Sequence, residues 1–340
     1  MSAPRLVAGQ ELRDRQARML RTAFGPVITA FILDDRVTDI LLNPDGNLWV
    51  ARQGETCRFS GTMISAADGD RIVRLVASAS GIEVHARNPE FTAALPLDVT
   101  TGAGARFKGL LPPLSTAPSF AIRKPAGIIF PLEDYVSDEI LSSGQAAALA
   151  DAVTRRLNIL IAGGTGSGKT TLANALLSEL KGADDRVLLL EETPELQCAA
   201  RNVVSLRTVA GVRSLRDLVR AAMHLYPQRI VVGEVLGAEA LDLLKAWNSG
   251  HPGGISTIHA NSASGALTKL VQFMQEIVVS VPRELIAEAI DLVVFIAQRG
   301  GTRRVRAISA VEGWNGITWI LRPIESAADL PNPDLMEDFR

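Results

Sequence analysis

The sequence is poor in cysteine, histidine and tyrosine, and it has no long apolar run. Its 340 residues hold 2 cysteines, 4 histidines and 2 tyrosines. Cys57 and Cys198 are far apart and no CxxC occurs. A zinc ribbon and a disulfide framework are thereby excluded. Two reduced, buried thiols in a reducing, cytoplasmic compartment are expected. No stretch approaches the ~18 apolar residues needed to cross a bilayer. The longest strongly apolar stretch, 292–297, has the length of a strand. The opening MSAPRLVAGQELRDRQ lacks the apolar centre of a secretory signal. Membrane association is expected to be at most peripheral. An excess of charge is also missing: 35 basic against 37 acidic residues give a net charge of −2. With no stripe of alternating aromatic and basic residues, this argues against direct nucleic-acid binding.

What is present points to a globular chain. Hydrophobic residues make up 47% and charged ones 21%, the proportions of a folded protein. The length suits about two domains. Between Val37 and Lys124, short apolar stretches are broken by turn residues. Asn43-Pro44-Asp45-Gly46 sits between two of them as a hairpin signal. Ile72, Val73, Leu75, Val76 and Ala79 recur at helical spacing. Strand-like pieces follow at 91–97, 106–111 and 119–123. An α+β domain with a mainly antiparallel sheet is expected over 1–124, then a Pro-containing acidic linker over 125–141.

From 142 onward the pattern changes. A helix over 142–156 leads into strands at 158–162, 186–191, 229–233, 254–259 and 292–297. Helices at 169–181, 214–224, 238–247, 263–276 and 283–290 separate them. Such alternation predicts an α/β domain with a mostly parallel sheet over 142–326. The tail from 327 is expected to fray.

The strongest chemical signal is Gly163-Gly164-Thr165-Gly166-Ser167-Gly168-Lys169-Thr170, followed by Thr171. It matches G-x-x-x-x-G-K-[ST] between a strand and a helix, the context a phosphate-binding loop requires. Glycines let backbone N–H groups turn inward as an anion nest, and the helix start adds its dipole. Lys169 is expected on the β- and γ-phosphates of ATP, and Thr170 on Mg²⁺. Such a loop needs carboxylates at the ends of other strands. Glu234, after Ile230-Val231-Val232-Gly233, is the first candidate, to position or deprotonate water. Glu191, ending Leu188-Leu189-Leu190, is the second, with a share in the metal. Glu192 and Glu195 follow it. His251 and His259 lie in a third segment, and His259 ends a β-branched strand. By position alone His259 is as readily structural, and Arg106 and Arg123 read as surface arginines.

In this order, GGTGSGKT, EETPEL, IVVGE and GHPGGISTIHANS resemble the secretion ATPases of type II and type IV secretion systems. TDILLNPDGNLWVAR, GLLPP and FAIRKPAGIIFPLEDYV extend the likeness over nearly the whole chain, and LLKAWNSGHPGG is most like the TrbB conjugal-transfer ATPases. The resemblance implies a RecA-like C-terminal ATPase domain behind a smaller N-terminal domain, in a homohexameric ring with secretion-system partners. It implies Arg106 and Arg123 at the γ-phosphate, a catalytic role for His259, and Glu191 with Glu234 as the acidic pair. His224, Tyr226 and Leu236 stand where arginines are frequent in the family, so slow turnover is expected, and Tyr226→Arg is expected to raise it. A weakly hydrolysing assembly scaffold and a RecA-like nucleic-acid motor are the alternatives.

Overall fold

A computed structural model describes residues 3–52, 55–95, 105–124, 129–209, 211–299 and 302–331. The chain divides into two compact units, Met1–Ile128 with Thr193–Glu195 and the remainder.

The first unit opens with α1 (Ala3–Leu33), which sequence patterning did not reveal. Its backbone departs from helix at Gly25, φ 68°, ahead of Pro26. Proline has no N–H to give the preceding turn, and glycine adopts the positive φ without a Cβ clash. Leu20, Phe24, Ile28 and Ile32 keep a four-residue apolar spacing across that break, and all are buried. They join α2 (Ala66–Ala79) over one antiparallel sheet. Its strands are β1 (Val37–Leu42), β2 (Asn47–Arg52), β3 (Arg58–Met63), β4 (Glu90–Ala94), β5 (Arg106–Leu110) and β6 (Ser119–Arg123), in the order β3-β2-β1-β6-β5-β4. The expected hairpin joins β1 to β2, with Gly46 at φ 83°. Ile40, Leu48, Phe107 and Ile122 face the helices. Alternate residues, Asp39, Trp49, Arg106 and Arg123 among them, take the other face. Cys57 is exposed and Cys198 half-buried, so the two buried thiols are not found. Cys57 sits in the loop before β3.

The expected linker is corrected in part. Residues 125–128 lie outside the described residues. Leu132–Ser137 forms α3, with Glu133 and Asp134 in its first turn. Leu132, Tyr135 and Leu141 are buried in the second unit's core. This stretch is therefore structural rather than a spacer. The expected frayed tail also begins in order. Ala327–Asp329 makes a 3-10 turn with a capping box from Ser326, and Leu330 is buried. Residues 332–340 lie outside the described residues.

In the second unit α4 (Ser143–Thr154), capped by Ser142 and Gln145, precedes β7 (Ile159–Gly163) and α5 (Lys169–Ser178). There follow β8 (Arg186–Glu191), β9 (Asn202–Arg207), α6 (Leu215–Ala222), β10 (Arg229–Val232), α7 (Glu239–Trp247) and β11 (Ile255–His259). Then come α8 (Ala263–Gln275), α9 (Arg283–Ala289), β12 (Leu292–Arg299), β13 (Thr302–Trp314) and β14 (Trp319–Pro323). The sheet order is β14-β13-β12-β7-β11-β10-β8-β9. From β12 to β9 neighbours run parallel, while β13 and β14 are antiparallel additions.

Both faces of the sheet's centre are covered, which is why β7, β8 and β10 are largely buried and apolar. Leu160, Leu188, Leu190, Ile230 and Val232 pack with α6, α7 and α8 on one face. Ile159, Ile161, Val187, Leu189 and Val231 pack with α4 and α5 on the other. The period of two fixes each strand's register. In turn it sets which backbone ends reach the carboxyl edge, where ligands bind in parallel α/β sheets.

Candidate active site

The carboxyl edge gathers the ends of four strands. After β7, the loop Gly163–Gly168 turns into α5. Gly166 and Gly168 hold φ of 72° and 96°, in the left-handed region that favours glycine. Gly168 is the N-cap of α5. A Cβ at Gly163 would strike the carbonyl oxygen of Ile296, so only glycine lets β12 approach the loop there. The loop therefore has the form its sequence requires.

Lys169 folds back over the loop and is only 7% exposed. Its Nζ donates to the carbonyl oxygen of Gly164 at 3.2 Å and meets His259 Nδ1 at 3.3 Å. Glu234 Oε1 stands 3.8 Å from the ammonium and 3.1 Å from His259 Nε2. An ammonium has donors and no acceptor. His259 Nδ1 must accept from it, so Nε2 carries the ring proton and donates to Glu234. Lys169, His259 and Glu234 thus form one connected group, drawn from α5, β11 and the end of β10. His259 pairs with Gly163 across the β11–β7 ladder, which sets its height against the loop.

The backbone around Glu234 is held from both sides. Thr257 Oγ1 donates to Gly233 O at 2.8 Å, and Val235 N donates to Thr257 O at 2.9 Å. Glu191 ends β8 and is 5% exposed. Its Oε1 accepts from Leu196 N at 2.8 Å. A Cβ at Gly233 would stand 3.3 Å from Glu191 Cγ and 3.5 Å from its Oε1, so this glycine lets the carboxylate lie against the Glu234 strand. The two glutamates stand at the ends of neighbouring strands, β8 and β10, of the parallel sheet. Glu192 is exposed, beyond the strand.

Among the described residues there is no cluster of three or more His, Cys, Asp or Glu side chains suited to a metal. The Thr170 hydroxyl follows Lys169 in α5 and the Glu191 carboxylate ends β8, both hard oxygens. That set fits Mg²⁺, which uses few protein ligands and takes the rest from phosphate and water.

Arg106 and Arg123 lie in the first unit and face each other across β5 and β6. Both are exposed, and Arg123 Nε donates to Asp39 Oδ1 at 3.1 Å.

Other sequence-stretch expectations change. Tyr226 is 83% exposed with φ 56° and stands before β10, at the amino edge of the sheet. Glu234 is at the other end of that strand. Four residues rise roughly 13 Å, so Tyr226 does not face this unit's loop, and the expected gain from Tyr226→Arg is withdrawn. His224 shares that edge. His251 does too, its Nδ1 against Pro227 O at 3.1 Å. Gly254 there leaves room for the Trp247 indole, whose Nε1 donates to Ile230 O at 3.0 Å. The first part of the HPGG segment is thus packing, and only its end, His259, reaches the loop.

Sequence reasoning missed Thr257, whose signal was its place on a strand next to the loop. It also missed Arg303 of β13. A Cβ on Gly168 would stand 3.6 Å from Arg303 Cδ and 3.8 Å from its Nε.

The chain is 44% identical over 302 residues to a conjugal transfer protein TrbB of Rhizobium radiobacter, covering 88% of this chain and 91% of that one. It is 32% identical over 302 residues to the type IV secretion system protein PtlH of Bordetella pertussis, covering 78% and 86%. Among solved structures, the pilus retraction motor PilT with bound ADP shares its fold at a TM-score of 0.57 and 18% identity, over 88% of this chain and 81% of that one. Residues 23–304 match the family described as type II/IV secretion system protein, and the chain belongs to that family.

Proposed function

We propose that the chain is a Mg²⁺-dependent ATPase whose turnover powers a type IV secretion or conjugal-transfer machine. The observation that carries this is the Lys169–His259–Glu234 group over a phosphate-binding loop in a family of secretion proteins. ATP phosphates enter at Gly163–Thr171 and take over the donors of Lys169. Mg²⁺, held by Thr170 and Glu191 with phosphate oxygens, would neutralise charge on the phosphates. Glu234 orients a water and accepts its proton. The water oxygen bonds to the γ-phosphorus, the bond to the β–γ bridging oxygen breaks, and ADP and phosphate leave. His259 couples Glu234 to Lys169, and so to the γ-phosphate.

The family resemblance adds Arg106 and Arg123 as γ-phosphate ligands, a homohexamer, secretion-system partners and peripheral membrane attachment. These are parts of the same reading. Two cross-strand arginines favour an anion, because like charges placed opposite each other repel.

Steady-state phosphate release by the purified chain, with and without single-stranded DNA, tests the proposal. Mg²⁺-dependent release that is lost in Lys169→Ala and indifferent to DNA is expected. Release that requires DNA would favour a nucleic-acid motor. No release with intact ATP binding would favour a scaffold.

A further inference from the structure

We propose that Arg303 is a nucleotide-binding residue that contacts the phosphates ADP and ATP share. The inference rests on the ATPase reading above and adds a ligand-binding group from the far side of the loop. β7, which leads into the loop, lies between β11 and β12. His259 ends β11, and Glu234 follows β10 beyond it, so the groups that act on the γ-phosphate stand on one side of the loop. Arg303 stands on the other. It is carried by β13, which pairs with β12 and sets Arg303 opposite Gln298.

The stem of Arg303 lies on Gly168. Its Cδ and Nε come within 3.6 and 3.8 Å of the place a Cβ would take, beside Ile296 Cδ1 at 3.8 Å. The guanidinium carbon is one bond beyond Nε, which keeps the cation beside Gly168, close enough to the buried Tyr135 for its charge to act on that phenol. Gly168 is the N-cap of α5, the part of such a loop whose N–H groups cradle the α- and β-phosphates. Lys169 already has Glu234 as a counter-charge. Among the described residues no carboxylate lies within ion-pair distance of Arg303. A planar guanidinium with several free donors is suited to phosphate oxygens, which it can take two at a time. The glycine at 168 is needed for its φ of 96°.

Arg303→Met keeps the apolar stem and removes the charge, while Arg303→Ala removes both. Affinities for ADP, ATP and inorganic tripolyphosphate are to be measured with Mg²⁺ on wild type, both variants and Lys169→Ala, with Tm alongside. The expected result is a loss of about tenfold for all three ligands in both variants, the scale of one charge-assisted hydrogen bond. Arg303→Met should keep the wild-type Tm, and kcat at saturating ATP should stay within about threefold, because the contact is made equally before and during reaction. If Arg303→Ala unfolds, Arg303→Met alone decides. Unchanged ADP affinity in Arg303→Met would overturn the proposal. A loss confined to ATP would move the contact to the γ-phosphate. A loss for nucleotides but not tripolyphosphate would move it to the base or sugar. Either overturns it. Wild type binding none of the three ligands would instead sink the ATPase reading itself.

Discussion

At the scale of residues, the two glutamates have different surroundings, and the proposed mechanism gives them different tasks. Glu191 is buried and hydrogen-bonded by a backbone amide, whereas Glu234 is partly open and tied to a histidine. A buried, fixed carboxylate suits a metal, and an accessible one suits water. Glu191→Gln is therefore expected to raise the Mg²⁺ concentration needed for half-maximal rate, which a metal titration of kcat would show. His259→Ala should lower kcat by about 10²-fold, the lower end of general acid–base contributions. ADP affinity should stay within about threefold, because Lys169 keeps its other contacts. A histidine that only packed would leave kcat unchanged. Arg106 sits opposite Arg123 with Asp39 beside only the second. Removing one of two opposed cations relieves repulsion. Arg106→Ala is thus expected to leave Tm unchanged or slightly raised, and to cut kcat by about 10³-fold if it reaches the transferring phosphoryl group. A drop in Tm with unchanged kcat would mark a structural arginine.

At the scale of elements, the parallel sheet and its loop were legible because apolar runs, glycines and strand-end carboxylates coincide in the sequence. Strand β8 and the first-unit strand β6 start and stop where patterning put them. The rest was hidden for physical reasons. β3 and β9 are edge strands with alternating exposure, so they carry few apolar residues to signal them. α1 mixes arginines with its apolar positions and breaks at Gly25, which blurs its period. β13 and β14 lie beyond the last strand that patterning placed, and polar residues and arginines interrupt their apolar positions. Arg303 was invisible for that reason.

One element contact carries a pH dependence. Asp242 on α7 accepts from Arg216 Nε at 2.6 Å and Arg220 Nε at 2.9 Å, both on α6. Burial works against its charge, but the two arginine hydrogen bonds prevail and hold the carboxyl below its usual value. A lowered pKa in the folded state gives stability that is complete above the ordinary carboxylate value, about 3.9. That stability fades as pH falls through the folded value. Asp242→Asn should cost about 1–3 kcal/mol at neutral pH, the range for hydrogen bonds to charged groups. The gap from wild type should shrink as pH falls below the ordinary carboxylate range and close once it has passed the lowered folded value. Denaturant melts at neutral and acid pH would check both ends.

At the scale of the whole molecule, two compact units share one chain, and no helix among the described residues is long and apolar enough to cross a membrane. Exposed Val209, Val212 and Leu236 belong to the second unit, outside its core. Such residues are the expected material of contacts between copies in a ring, where one patch meets a different patch on the next subunit. Light scattering should give a hexamer that is firmer with nucleotide and Mg²⁺ than without, since a ligand bound only by the assembled form stabilises it. A monomer at high concentration with both present would remove the ring. The account's central claim is that Glu234 handles the attacking water at a loop that binds ATP without it. It is tested most directly by Glu234→Gln: incubate the variant with ATP and Mg²⁺, isolate the complex, and identify the bound nucleotide by chromatography. The account predicts intact ATP, bound as tightly as by wild type and turned over at least 10²-fold more slowly. Recovery of ADP at more than about a tenth of the wild-type rate, against the 10²-fold or greater loss expected for a missing base, would contradict it.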